Sequence, residues 1–79
     1  MTGIDPSELR VGMEVVGSDG AFIGHVREVR DRYLSTDRAA KPDVYVPFSE
    51  IERVAEGNVV VRVPGQEIDL MGWSKIPVP

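Results

Sequence analysis

Cysteine is absent from the chain, and histidine and tryptophan each occur once. Without a thiol there is no disulfide and no thiolate metal site. A single histidine, His25, rules out a multi-histidine metal centre and leaves one imidazole for general-base work, which a hairpin could bring to Ser18 or Asp19. A lone histidine in a strand is read as a surface residue, not as a catalyst. No run of apolar residues exceeds three, which excludes a membrane-spanning helix. The opening "MTGIDPSELR" lacks the basic start and apolar stretch of a secretory signal, so the expected location is cytoplasmic. Glu50, Glu52 and Glu56 in "SEIERVAEG" have no partner residues for metal or acid–base chemistry and read as a solvated rim. No catalytic residue, metal or cofactor is therefore expected.

What remains is a 79-residue chain with 42% hydrophobic and 28% charged residues, read as one globular domain over 1–79 with an extended tail at 74–79. A domain of this size buries roughly 60–65% of its unfolded surface. Its stability must come from close packing or from a second subunit.

Valine alternates with other residues in three places: Met13 and Val15; Val44, Val46 and Phe48; Val59, Val61 and Val63. Short alternating runs divided by Gly, Asp, Asn and Pro predict an all-β sandwich or barrel. Two short segments have helical signals. Asp5, Pro6 and Glu8 suit a helix start that Gly12 stops, and Gln66 to Met71 suits a turn or two ended by Gly72. "TDRAAKPD" is the longest segment left as loop. The predicted inward set is Met13, Val15, Ile23, Val26, Leu34, Val44, Val46, Phe48, Ile51, Val54, Val59, Val61 and Val63, with Phe22 as the rival of Ile23.

The stretch "VVGSDGAFIGHVREV" carries Gly17, Gly20 and Gly24. A phosphate loop would need a lysine after its glycines, or a βαβ setting, and has neither. A calcium loop would need more carboxylates than Asp19. A bulged hairpin fits instead: Ser18 and Asp19 at the centre of a type I turn and Gly20 in the left-handed position after it, with a two-residue Asp-Gly turn as the alternative. Gly24 inside a strand implies a bend or a close backbone contact. Val26 and Val29 have opposite parity, so a bulge must lie between them if both are buried.

The net charge of −4 is uneven. The acidic flanks enclose "REVRDRYLSTDRAAK", whose Arg27, Arg30, Arg32, Arg38 and Lys41 form the candidate basic patch. Nonspecific nucleic-acid binding goes with a clearly basic domain. An acidic chain is poorly suited to it, and no membrane contact is expected either.

"GMEVVGSDGAFIGHVREV", followed by "YVPFSEIERV", "NVVVRVPGQEI" and "GW", resembles the PRC-barrel superfamily, and more narrowly the small stand-alone bacterial proteins of the DUF2171 family. The resemblance runs from about Ile4 to Trp73. It implies a small, strongly bent antiparallel barrel of five or six strands with short helical turns. It supplies no catalytic residue.

The expected function is a non-catalytic protein-interaction or structural module, self-associating as a homodimer. Val60 places valine on both faces of its strand, and with Arg62, Met71 and Trp73 it forms the candidate interaction surface. Trp73 has two possible homes, a lid on its own barrel or an anchor in a second copy. The alternative function is a small barrel associated with RNA or ribosome assembly through the basic segment. A small-ligand binder is a third class, with little cavity available to it.

Overall fold

A computed structural model of the chain describes residues 6–75. The alternating segments form six strands: β1 (Glu14–Val16), β2 (Phe22–Val29), β3 (Tyr33–Arg38), β4 (Lys41–Pro47), β5 (Ile51–Ala55) and β6 (Asn58–Val61). Helix among the described residues is limited to 3₁₀ turns at Pro6–Glu8, Phe48–Glu50 and Gly65–Leu70. The all-β reading holds, and two of those turns fall where helical signals were seen. Asp5, the expected cap of the first, lies outside the described residues, as does the tail from residue 76.

All six strands belong to one sheet in the order β4-β3-β2-β1-β6-β5. Four pairings are antiparallel, and β1 with β6 is parallel. The outermost strands β4 and β5 are joined by only the three residues Phe48–Glu50. In a flat sheet they would stand about 24 Å apart at ~4.8 Å per strand. Such a link spans about 13 Å at most. The sheet must curl strongly to close that distance.

Two irregularities produce part of the curl. Val26 pairs with Thr36 but Glu28 pairs with Ser35, so Arg27 is the extra residue of a bulge. It lets both Val26 and Val29 turn inward despite their parity. Val15 pairs with Gly24 and Val16 with Phe22, which makes Ile23 extra in β1–β2. Ile23 packs against the core, and Phe22 is turned out at 57% exposure.

The core consists of Leu9, Val15, Val26, Leu34, Val44, Val46, Ile51, Val59, Val61, Ile68 and Trp73. Met13, Ile23, Val29, Phe48, Val54 and Val63 pack around it. Every residue of the predicted inward set is in one group or the other. Leu9, Ile68 and Trp73 come from outside the strands and close the core where the sheet does not.

"TDRAAKPD" is not a loop. It is the β3–β4 hairpin, turning at Ala39 and Ala40, with Ala40 at φ 58°. Pro42 and Asp43 concealed the strand, yet both are tolerated because β4 is an outermost strand. The outer side of β4 is partly occupied: the Tyr45 N–H donates to the Trp73 carbonyl at 2.6 Å. Pro47 offers no N–H there.

Candidate interaction site

The glycine-rich hairpin positions the site. Gly17 N–H donates to the Ala21 carbonyl at 2.8 Å and Gly20 N–H to the Gly17 carbonyl at 2.9 Å. Gly20 has φ 84°, while Ser18 and Asp19 both keep negative φ. This is the bulged type I turn that the sequence predicts. The Asp19 carboxylate then accepts the N–H of Ala21 at 3.1 Å and, from across the fold, the N–H of Gly65 at 3.2 Å. Those donors, Ala21 foremost, hold Asp19 below its usual pKa. Ser18 N–H reaches the Val63 carbonyl at 2.9 Å. A methyl group on Gly17 would strike the Gly65 backbone, and one on Gly65 would lie 2.8 Å from Ala21 Cβ. Two backbones thus dock directly, and this contact fixes the start of the Gly65–Leu70 turn. The role of Asp19 was legible only as a turn residue; its reach to Gly65, 46 positions on, left no sequence signal.

The turn is secured a second time by Ile68, which is 2% exposed in the core. A third tie is Asp69, whose carboxylate meets Arg38 Nη1 at 3.0 Å and Lys41 Nζ at 3.8 Å from the β3–β4 hairpin. Arg38 Nε donates to the Pro42 carbonyl at 2.9 Å. Its side chain is only 8% exposed although it lies near a hairpin tip. Between hairpin and turn is a cleft of about 510 Å³, bordered by Phe22, Ile23, Arg38, Lys41, Gln66 and Asp69. Phe22 stands at its edge with its ring against His25, centroids 5.3 Å apart. Leu70 and Met71 follow at the end of the turn, 80% and 37% exposed.

Of the four residues expected as an interaction surface, two are largely buried within the chain itself. Trp73 is 6% exposed within its own chain's core and Val60 is 9% exposed. Arg62 is exposed, but its Nε is engaged by the Ser49 carbonyl at 3.1 Å. Met71 alone of the four presents an apolar side chain. Sequence reasoning missed Phe22 and Leu70; the bulge at Ile23 decides the first, and a short 3₁₀ turn has too little periodicity to reveal the second.

The basic patch is also changed by the fold. Arg27 pairs with Asp37 at 3.5 Å and Asp43 at 3.4 Å, Arg30 with Glu28 at 3.3 Å, and Arg38 and Lys41 with Asp69. Of the five cations, Arg32 alone has no ion pair among the described residues. Four of the five cations are thus held in ion pairs: Arg27 across strands, Arg30 with its near neighbour, and Arg38 and Lys41 with the Gly65–Leu70 turn. Among the described residues no three metal-ligating side chains gather, and no helix is long and apolar enough to cross a membrane.

A family model described as an uncharacterized protein conserved in bacteria, DUF2171, matches residues 9–69. The chain is also similar to probable translation initiation factor IF-2 from Methanococcus maripaludis, strains C7 and C6. Each is 30% identical over 71 residues, which is 90% of this chain. The chain spans 11% of the length of those relatives.

Proposed function

We propose that this chain, which belongs to the DUF2171 family of uncharacterised bacterial proteins, is a non-catalytic module that works by binding protein, a second copy of itself included. The carrying observation is the position of three of the four large exposed apolar side chains among the described residues, the fourth being Val11 ahead of β1. Leu70 and Met71 end the Gly65–Leu70 turn, and Phe22 borders the same turn across the cleft. The buried core is built from other residues, so these three leave apolar surface in water. A small domain gains stability by covering such side chains with a partner. In fold terms we read the curled sheet as a closed, PRC-barrel-like barrel, supported by the short link between its outermost strands and by the two bulges. Light scattering after gel filtration at micromolar concentration tests the self-association. A dimer mass that Leu70→Asp reduces to monomer, with the circular dichroism spectrum unchanged, is expected. A strict monomer for the native chain would remove the self-association.

A second reading has an observation of its own, the likeness to a 71-residue stretch of a probable translation initiation factor. It makes the chain a small barrel associated with RNA or ribosome assembly. The ion-paired basic segment gives it little support, since neutralised arginines release few counterions from a phosphate backbone. Anisotropy of a labelled single-stranded RNA over a salt series separates the two. Binding that weakens steeply with salt favours this reading, and no binding at low salt favours the first.

A further inference from the structure

We propose that the cleft between the β3–β4 hairpin and the Gly65–Leu70 turn is a docking site for a partner's acidic–apolar peptide segment, with its carboxylate on Arg38 and Lys41 and its apolar side chain on Phe22 and Ile23. The inference rests on the protein-binding reading and names the partner chemistry for the same region.

The observation behind it is the state of Arg38. A guanidinium has N–H groups on Nε, Nη1 and Nη2. Nε is taken by the Pro42 carbonyl and Nη1 by Asp69. Nη2 takes part in neither contact, and the side chain, 8% exposed, borders the cleft. A largely buried guanidinium with an open donor edge is held by its two partners in a fixed orientation. An incoming carboxylate therefore finds the donor already ordered. Lys41 Nζ lies 3.8 Å from Asp69, a loose contact that leaves ammonium donors for a second anion.

Charge balance selects the ligand. Arg38 and Lys41 against Asp69 leave one net positive charge at the cleft. A single carboxylate neutralises it. A phosphate dianion would overfill it and face the Asp69 carboxylate at close range. The other half of the cleft is apolar, with Phe22 at 57% exposure and Ile23 half-buried. A carboxylate with an apolar neighbour meets both halves. The volume of about 510 Å³ lies within the roughly 300–1,000 Å³ of ligand-sized sites.

The test is an NMR titration of the full chain with a short capped peptide containing Asp-Phe, beside the same peptide with Asn-Phe. Saturable shifts at Phe22, Ile23, Lys41 and the Arg38 Nε–H are expected, and the Asn peptide should bind about tenfold more weakly, the size of one lost charge-assisted hydrogen bond. Lys41→Gln should weaken the Asp peptide several-fold, and Phe22→Ala should weaken both peptides. Both residues are exposed, so neither substitution threatens the fold if Arg38→Gln does. Equal binding of the two peptides, shifts located elsewhere, no saturation at the solubility limit, or tighter binding of inorganic phosphate or a short RNA at the cleft would each overturn the assignment. A monomeric chain that still discriminates the peptides would end self-association and leave this site standing; a dimer blind to both would end this site alone.

Discussion

Gly24→Ala should be the most damaging small substitution in the glycine-rich hairpin, although Gly24 does not need a left-handed backbone. Gly24 pairs with Val15 in β1 and lies one residue from the extra position in β2. A methyl group there would run into the Asp37 carbonyl and approach Thr36 Cγ2 at 3.0 Å. The Asp37 carbonyl is backbone of the adjoining strand, so no rotamer change relieves the contact and β2 must separate from β3. Overpacking of this kind costs about 1–3 kcal/mol, and the upper end applies where the obstacle is main chain. The stiffer unfolded chain returns about 0.4–1 kcal/mol, leaving a net loss of about 2 kcal/mol. A 79-residue domain has only about 4–12 kcal/mol in total. Gly20 poses the opposite problem: φ is 84° and nothing lies within 4 Å of an added Cβ. Gly20→Ala therefore costs about 1–2 kcal/mol of backbone strain alone, and Gly20→Val about 1–3 kcal/mol. His25→Ala, on an exposed side chain, is the silent control. Urea melts read the series as shifts in midpoint at constant slope. If Gly24→Ala melts with His25→Ala, the close approach of β2 to β3 is not what requires glycine.

Four other substitutions probe the turns, the core and the hairpin carboxylate. Glu56 has φ 53° and Gly57 φ 81° at the β5–β6 turn, the geometry of a two-residue hairpin that prefers Asn-Gly; Glu56→Asn should stabilise by about 0.5–1 kcal/mol, and an unchanged or lower Tm would contradict it. Thr36 is fully buried between Val26 and Val44, and its hydroxyl has no partner among the described residues; Thr36→Val should gain about 1 kcal/mol in urea melts, and a loss would mean that the hydroxyl is bonded. Asp19 is held below its usual value of 3.8 by the Ala21 and Gly65 N–H groups; its stabilisation is present above that value and lost as pH falls through the lower folded pKa, so Asp19→Asn should flatten that part of the acid-unfolding curve and leave the rest. Trp73→Ala should cost about 3–5 kcal/mol in chemical melts, since the ring is 6% exposed in the core; near-neutral behaviour would place Trp73 outside it.

The strands were legible where burial imposes a strict alternation. Val44, Val46, Val59 and Val61 face one core, and each is at most 1% exposed. The hairpin turn was legible because its left-handed position needs glycine, and Gly20 occupies it. β4 was partly hidden because the start of an outermost strand is free to carry Lys41, Pro42 and Asp43. Trp73 and Ile68 could be seen as apolar but not placed, since one or two side chains on an irregular segment have no period to match. The basic patch misled for a related reason. Sequence shows Arg27 beside Glu28, but register sets it against Asp37 and Asp43 on two different strands.

The cleft joins two unlike elements, the sheet that carries Phe22, Ile23, Arg38 and Lys41 and the Gly65–Leu70 turn. The strands are tied into the core by residues such as Val15, Leu34, Val46 and Val59, so the sheet cannot move these side chains without opening a cavity. The turn is attached differently. Its ties are the Asp19 carboxylate at one end, Ile68 in the middle and the Arg38–Asp69 pair beyond. Two of these are polar contacts at the surface, each worth far less than a buried valine. Elements held in this way open at lower free energy than the core strands do. A partner carboxylate on Arg38, in β3, would therefore lie beside the Gly65–Leu70 turn, the wall of the cleft that adjusts at lower cost. Hydrogen exchange should find the Ile68 and Met71 amides less protected than those of Val26 and Val44, and equal protection would mean that the turn is as rigid as the sheet.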